Sequence, residues 1–395
     1  MRFISADIIY PVTRPPIRNG ILVVDNAGII LKVIDPITDD IGHIEGIEKL
    51  DGALCPGFVN AHCHLELSHL KGKLTKNKSL PGFIGEIVKN RNAGIEEIKN
   101  AMLAADREMF NSGIVAIGDI SNNNSSIQIK SESEIHYHTF VEIFDLSEEN
   151  ADSVFLKGTL LYDEYIKSGL PASIVPHSPY TVSEKLLKMI AEFISDHDEI
   201  ACIHNQETKS EDEMFLSGKG ILLEKLLATS GLFKSWKATN KSSLNSTIVH
   251  FPPDATLQLV HNTYSKKADI EKAVQSHKNL FWCLCVNANL FIEDSLPDIP
   301  MLMQSGCRIT IGTDSYASND SLSVWEELKT ISKYYPEISL EELISWSTIN
   351  GASFLGIDDK YGSFSDGKSP GIVHISNMDV KSHKISAKST IRRVV

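Results

Sequence analysis

The sequence predicts an α/β protein: a (β/α)8 TIM barrel with a small β-sandwich domain built from both termini. Three observations support this prediction. Eight short apolar segments typical of buried strands follow one another along the chain, helical segments lie between them, and β-rich segments with turn residues occupy both ends. The 395 residues are enough for a barrel and one smaller module.

The strand candidates are short apolar runs. In chain order they are Gly57–His64, Gly113–Ile120, His138–Phe144, Ala172–His177, Ile200–His204, Leu257–His261, Leu280–Cys283 and Arg308–Gly312. Between them, apolar residues recur at helical spacing in "IEEIKNAMLAADREMFNSG", "SEKLLKMIAEFISDH" and "SLEELISWSTING". In the second segment Ser183 is a candidate N-cap, and one helix face should be buried through Leu186, Leu187, Ile190 and Phe193.

Both ends of the chain contain short β-rich segments that are typical of a small sheet. "MRFISADIIYP", "GILVVDNAG" and "IILKVIDP" lie at the start, and "PGIVHISNM" and "STIRRVV" lie at the end. We expect residues 1–55 plus 362–395 to form the β-sandwich-like domain and residues 56–361 to form the barrel. The segment Lys209–Thr256 is the least regular, and its polar stretch "SWKATNKSSLNS" could lie over the mouth of the barrel.

The composition argues against several classes of partner. The net charge is −13 without a long basic block, which disfavours nucleic acid and anionic membrane surfaces. No apolar segment approaches the length of a membrane span. The six cysteines are scattered and match no zinc knuckle or disulfide framework, so we expect a reducing compartment and a cytoplasmic protein.

The stretch "NAHCHLELS" places His62 and His64 one residue apart at the end of the first predicted barrel strand. Alternate side chains of a strand point the same way, so the two imidazoles would converge on one point. This is how a metal is held at a strand end, although an accidental pair of surface histidines has the same pattern.

Further polar residues stand where other predicted strands end. They are His177 in "VPHSPYTVS", His204 in "ACIHNQET", His261 in "LVHNTYS" and Asp314 in "TIGTDSYASND". The chemistry of a barrel lies at the C-terminal ends of its strands. Each histidine alone would more often be a core or edge residue, but so many at one rim indicate a common site.

At this point the sequence resembles a known family. "PGFVNAHCHLELS", "HNQET", "LVHNT" and "GTDSYASND", in this order, are similar to motifs of the amidohydrolase superfamily. The closest likeness is to its aminohydrolase branch, which includes cytosine, guanine, adenosylhomocysteine and aminofutalosine deaminases and triazine chlorohydrolases. The resemblance covers almost the whole chain and implies the same barrel and β-sandwich.

The resemblance implies a metal centre. His62, His64, His204 and Asp314 would bind one divalent metal, with zinc favoured and iron or manganese as alternatives. A bound water would then become a hydroxide nucleophile near neutral pH. Binuclear members of the superfamily carry a carboxylated lysine after the fourth strand, and "IVPHSPY" has no lysine there, which favours one metal.

The resemblance also implies catalytic residues. Glu207, three residues after His204, would shuttle protons, and the alternative is a solvated acid in the acidic run "QETKSEDE". His261 would bond to the attacking water, with metal ligation as its alternative role. Asp314 would both bind the metal and accept a proton from the water.

Three residues are candidate substrate contacts. His177 matches a substrate-contacting histidine of the deaminase branch, and Glu66 follows the histidine pair. Asn289 matches the asparagine of the family's Cys-Pro-x-Ser-Asn segment. Here Val286 replaces the proline and Ala288 the serine, which weakens any inference about the substrate.

The predicted function is therefore a metal-dependent hydrolytic deaminase of an amino-substituted N-heterocycle: a purine, a purine nucleoside derivative or a pyrimidine. An amidohydrolase acting on C–Cl or cyclic amide bonds is the alternative within enzymes, because one fold supports several chemistries. A non-catalytic ligand-binding barrel is a more remote alternative. The expected partner is a small-molecule substrate, and the chain could form a homo-oligomer.

Overall fold

Strands and helices alternate through the middle of the chain, between two strand-rich ends. The structure is a computed structural model that describes residues 1–39, 44–229 and 236–395. In chain order the strands are β1 (Arg2–Ile9), β2 (Ile17–Arg18), β3 (Ile21–Val24), β4 (Ile30–Ile34), β5 (Ile47–Pro56), β6 (Phe58–Cys63), β7 (Ile114–Ser121), β8 (His136–Ile143), β9 (Ala172–Pro176), β10 (Ala201–Asn205), β11 (Thr256–His261), β12 (Asn279–Leu284), β13 (Arg308–Ile311), β14 (Ile372–Ser376) and β15 (Thr390–Arg393).

The helices include the three that apolar spacing predicts. In chain order they are α1 (Ser79–Asn90), α2 (Ile95–Asn111), α3 (Ile127–Glu132), α4 (Ala151–Lys167), α5 (Glu184–His197), α6 (Lys209–Ser217), α7 (Ile221–Thr229), α8 (Ser243–Thr247), α9 (Lys267–Ser276), α10 (Val286–Glu293), α11 (Ile299–Gln304), α12 (Val324–Tyr334), α13 (Leu340–Ser347) and α14 (Ile349–Phe354). Among the described residues, no helix has both the length and the apolar character that crossing a membrane requires.

Local signals fix where several of these helices begin and end. The Ser183 side chain accepts a hydrogen bond from the Leu186 backbone N–H and caps α5, as predicted. The third predicted helix is divided into α13 and α14, because the backbone of Thr348 leaves the helical region between them. A capping box between Ser339 and Glu342 starts α13.

The eight predicted barrel strands are confirmed as β6 to β13. They form two parallel four-stranded sheets, ordered β6-β7-β8-β9 and β10-β11-β12-β13. Backbone hydrogen bonds join the sheets at both edges: His204 N–H donates to His177 O (3.0 Å), and Thr313 N–H donates to His62 O (3.0 Å). The carboxyl ends within each sheet lie at one edge, so the residues after them can meet.

Both ends of the chain contribute to one further sheet, as the sequence predicts. Its order is β15-β14-β5-β1-β3-β4, with β2 paired to β1. The sequence did not predict β5, the strand that leads directly to β6. The described residues form a single sheet of seven strands here, so the two-layered sandwich stays a prediction.

The segment Lys209–Thr256, which the sequence predicts to be the least regular, contains three short helices, α6, α7 and α8. Part of the polar stretch from Ser235 lies outside the described residues. α8 buries Leu244 in the main core, whereas α6 and α7 bury apolar side chains in a second apolar cluster, which we call the mouth cluster. Its buried members are Leu70, Leu74, Leu80, Phe83, Tyr180, Met214, Phe215, Leu222, Leu223, Phe291, Ile292 and Ala317. They belong to segments that follow β6, β9, β10, β12 and β13, at the carboxyl ends of the strands.

A buried ion pair links β7 to α3. Lys130 Nζ lies 2.7 Å from Asp119 Oδ2, and both side chains are 0% exposed. Lys130 also donates to the hydroxyls of Ser121 and Thr139. The second carboxylate oxygen, Asp119 Oδ1, accepts a hydrogen bond from the Leu65 N–H (2.8 Å). The pair therefore supports the backbone directly after His64.

Replacing Lys130 with Met should lower the free energy of unfolding by about 3–5 kcal/mol, because Asp119 would remain as an uncompensated buried charge. The double variant Asp119→Asn/Lys130→Met should recover most of this loss. Urea unfolding measures both, with the exposed Lys188→Met as the control. A Lys130→Met effect no larger than that of the control would contradict the assigned role of the pair.

Candidate metal centre and active site

Three imidazoles meet where β6 and β10 end. The candidate ligand atoms of His62, His64 and His204 all lie within 4.8 Å of one another. The Nε2 atoms of His62 and His64 are 3.1 Å apart. His62 and His204 are buried, and the His64 side chain is 12% exposed. The expected convergence of the His-x-His pair is therefore present, and a histidine distant in sequence joins it.

Asp314 completes this group from the segment after β13. Its Oδ1 lies 3.3 Å from His64 Nε2 and 3.7 Å from His62 Nε2. The backbone N–H of Asp314 donates to His62 O, and its φ of +57° is left-handed. The other oxygen, Oδ2, accepts a short hydrogen bond from the Ser318 hydroxyl. The turn and the hydroxyl thus leave Oδ1 directed at the imidazoles.

The protonation states of these groups fit a divalent metal. Burial lowers the pKa of His64 and of His204 to about 3 and that of His62 well below its usual value, with neighbouring imidazoles adding to the effect. Neutral rings are what metal ligation needs. Neutral nitrogens 3.1 Å apart beside a carboxylate favour a shared cation. His204 Nδ1 donates to His177 O (2.8 Å), which leaves its Nε2 for the metal.

A buried carboxyl group and an imidazole lie next to each other beside His204. His261 Nε2 lies 3.6 Å from Glu207 Oε1. His261 Nδ1 donates to Asn289 Oδ1 (2.9 Å), so Nε2 of the neutral ring is free to accept a proton. Burial raises the pKa of Glu207 well above its usual value, and the charge of Asp314 adds to the shift. Glu207 is only 6% exposed, so its alternative interpretation as a solvated loop acid is wrong.

The amidohydrolase family model matches residues 53–391. This chain belongs to the amidohydrolase family. It is 25% identical over 317 residues to an adenosine deaminase of Helicobacter pylori, covering 78% of this chain and 76% of that protein.

Two solved structures share the fold of this amidohydrolase. Helicobacter pylori aminofutalosine deaminase in complex with methylthio-coformycin matches it with a TM-score of 0.82 and 22% identity over 100% of both chains. An adenosine deaminase from Xanthomonas campestris with bound zinc matches with a TM-score of 0.75 and 20% identity, over 97% of this chain and 86% of that one.

A second group of candidate ligands in this amidohydrolase shares a histidine with the first. It consists of Glu142, His177 and His204, whose candidate ligand atoms lie within 4.8 Å of one another. The Nδ1–H of His204 is committed to the His177 carbonyl, so the ring has one nitrogen left for a metal. The two groups cannot both use this nitrogen.

The predicted substrate contacts have different surroundings. The His177 ring is partly exposed, and its centroid lies 4.8 Å from that of His204. The buried Asn289 fixes the ring of His261. The Glu66 carboxylate accepts three hydrogen bonds from the segment after β7, two from the backbone N–H groups of Asn122 and Asn123 and one from the Asn123 side chain. Of these three side chains, only that of His177 is partly exposed.

Two acids that sequence reasoning did not select hold the turn before α6. Glu211 is buried, and its carboxylate accepts the backbone N–H groups of Gln206 (3.0 Å) and Glu207 (3.2 Å). Asp212 accepts hydrogen bonds from the Gln206 side chain and from Ser243 N–H. The available signal was the position of both acids in the first turn of a helix, where carboxylates are favourable.

Glu211 should make the stability of this amidohydrolase depend on pH. Burial raises the pKa of Glu211 to about 8, whereas in an unfolded chain a glutamate titrates near about 4.3. Between about pH 5 and 8 the unfolded chain ionises first, so the wild type should lose about 1 kcal/mol of unfolding free energy per pH unit relative to Glu211→Gln.

Urea unfolding of the chelated proteins at several pH values tests this expectation. Glu213→Gln, an exposed position on the same helix, is the matched control. A free-energy difference between wild type and Glu211→Gln that stays constant from pH 5 to 8 would contradict it.

Proposed function

We propose that this protein is a metal-dependent hydrolytic deaminase, and that its substrates are amino-substituted purines, above all adenine nucleosides. The observation that carries the proposal is the juxtaposition of a four-residue ligand set with an acid–base pair. Three neutral imidazoles and Asp314 meet at one point, and Glu207 and His261 stand beside them, 3.6 Å apart. The adenosine deaminase relative supports the choice of a purine nucleoside.

The proposal includes the finer architecture. The two parallel sheets would form one closed (β/α)8 barrel, which the hydrogen bonds at both pairs of edges support. Residues 56–361 would be the barrel domain, and residues 1–55 plus 362–395 the β-sandwich-like domain. A cytoplasmic location belongs to the same proposal, and the unpaired state of all six cysteines supports it.

The metal would be one divalent ion, with zinc preferred. His62, His64, His204 and Asp314 would hold it, and the nitrogen-rich donor set suits zinc, with iron or manganese as alternatives. The zinc in the Xanthomonas campestris adenosine deaminase structure supports this choice. When bound, the ion would supply Lewis-acid chemistry and lower the pKa of a water so that it can attack carbon near neutral pH.

Glu207, His261 and Asp314 would transfer the protons of the reaction. Because its pKa is raised, Glu207 can hold a proton and give it to a ring nitrogen as water adds to the carbon that bears the amino group. His261 Nε2 and Asp314 Oδ1 would orient the water and accept its protons. Glu207 would then carry the remaining hydroxyl proton to the amino group, which leaves as ammonia. The proton held by His261 or Asp314 would return to Glu207, so one water is consumed for each ammonia released.

The remaining predicted residues would act at different distances from the substrate. His177 would touch the ring or its substituent. Asn289 would act through His261, whose tautomer it sets. Glu66 would act through the segment after β7, which it fixes.

Ammonia release from a panel of substrates tests the proposal. Zinc- or manganese-loaded protein would be assayed with adenosine, 5'-deoxyadenosine, adenine, guanine and cytosine. We expect adenine nucleosides to be deaminated, and chelated protein to be inactive. No ammonia from any of them, with one equivalent of metal bound, would overturn the proposal. Chloride release from a chlorinated triazine would then favour the alternative leaving group.

A further inference from the structure

Glu142 is a buried carboxylate that the proposed reaction does not use. It lies near the end of β8 and is 5% exposed. Its Oε2 accepts a hydrogen bond from the Asn122 side chain (3.1 Å). Its Oε1 is buried without a hydrogen-bond partner among the described residues. An unsatisfied buried acceptor is costly, so the open oxygen of Glu142 beside the candidate metal ligands points to a missing donor.

The surroundings of Glu142 do not supply that donor. Its Oε1 lies 3.7 Å from His204 Nδ1, but that N–H already donates to the His177 carbonyl at 2.8 Å. The Nδ1 atom of His177 forms a hydrogen bond with the Thr181 hydroxyl (2.9 Å), so this nitrogen is not available to Glu142. The positive charge of Arg91 acts on Glu142 only through space, because Arg91 is exposed and forms no hydrogen bond with it.

The strand of His204, β10, lies between β9 and β11, and Glu142 and His261 come from different sides of it. His261 and Glu207 lie on the side of β11, whereas His177 and Glu142 lie on the side of β8 and β9. The half-exposed Phe144 ring follows Glu142 in the chain and stands 5.6 Å from the His177 ring. The side of β11 thus carries the groups proposed for proton transfer, and the side of β8 and β9 carries an acceptor, an imidazole and an aromatic ring.

We propose that Glu142 is a specificity-determining residue that accepts hydrogen bonds from the 2'- and 3'-hydroxyls of a nucleoside substrate. The inference rests on the proposed function and deepens it. A neutral donor fits best, because a divalent ion at His204 would repel a substrate ammonium, and Glu142 itself would repel a carboxylate or phosphate. Hydroxyl donors satisfy the open oxygen without adding charge.

A pair of substrates isolates this contact. Adenosine and 2',3'-dideoxyadenosine have the same reacting ring and the same 5'-hydroxyl, and only adenosine carries the 2'- and 3'-hydroxyls. The metal-loaded wild type should prefer adenosine in kcat/KM by about 10- to 100-fold, as expected for hydrogen bonds to a charged group. Glu142→Gln should lower kcat/KM for adenosine about tenfold or more, mainly through KM, and leave the dideoxy substrate within about twofold.

The controls separate binding of the sugar from support of the metal. Glu149→Gln, an exposed position after β8, should retain the wild-type preference. Metal content and thermal unfolding of Glu142→Gln should match the wild type. An equal loss for both substrates, or loss of metal, would overturn the inference and assign Glu142 to the support of His204. If the wild type released ammonia from neither nucleoside, the proposed function would itself fail.

Discussion

Glu207→Gln should reduce kcat for ammonia release about 10³-fold while the protein keeps its metal, because proton transfer by a positioned acid contributes two to four orders of magnitude. Glutamine preserves the shape of the side chain but can neither take up nor release a proton in the reaction. The residue is buried 3.6 Å from His261, so solvent cannot replace it easily. Steady-state kinetics with adenosine and metal analysis of the same samples would measure the effect.

The matched control for this prediction lies in the same segment of the chain. Glu213 is exposed on α6, and Glu213→Gln should keep near wild-type kcat. Equal kcat values for Glu207→Gln and wild type would show that the proton moves by another route. A loss of metal from Glu207→Gln would instead indicate a structural role.

His64→Asn should abolish metal retention and, with it, activity. One of four predicted ligands would be lost, and the remaining groups would hold a divalent ion too weakly to survive dialysis. Activity should fall by at least about 10³-fold, since the ion is expected to generate the nucleophile. His64 is the least buried of the three histidines, so this variant should fold where a substitution at His62 could fail.

Metal analysis after dialysis gives the direct readout, and excess zinc should restore only a small part of the activity. His197→Asn, at an exposed histidine of α5, is the control and should retain one equivalent. Chelation of the wild type followed by zinc addition should remove and restore activity. Full metal content in His64→Asn would contradict the proposed ligand set.

The strands β6 to β13 and their terminal histidines were predictable because the signals are local. Each strand is an apolar run, and parallel strands place their carboxyl ends at one edge, so His204 could be assigned to the neighbourhood of His62 before any coordinates. By contrast, β5 was missed because Glu48, Lys49, Asp51 and Gly52 interrupt its apolar pattern.

The pairing of buried charges could not be predicted. Lys130 lies on a short helix within a polar part of the sequence, and nothing local indicates that Asp119 neutralises it. Glu211 looks like a surface acid, and its burial depends on the packing of α6 in the mouth cluster. Glu142 differs from its apolar neighbours in β8, but its open oxygen is a property of the assembled pocket.

The pairing of β14 with β5 has a consequence for biosynthesis. The strand that leads into His62 is completed by residues more than three hundred positions later, where Ile372 pairs with Pro56 and Val373 with Cys55. Asp314 also precedes β14 in the chain. A ribosome therefore exposes the first two histidines long before their supporting sheet can close, and the catalytic pocket should mature only when translation has passed residue 376.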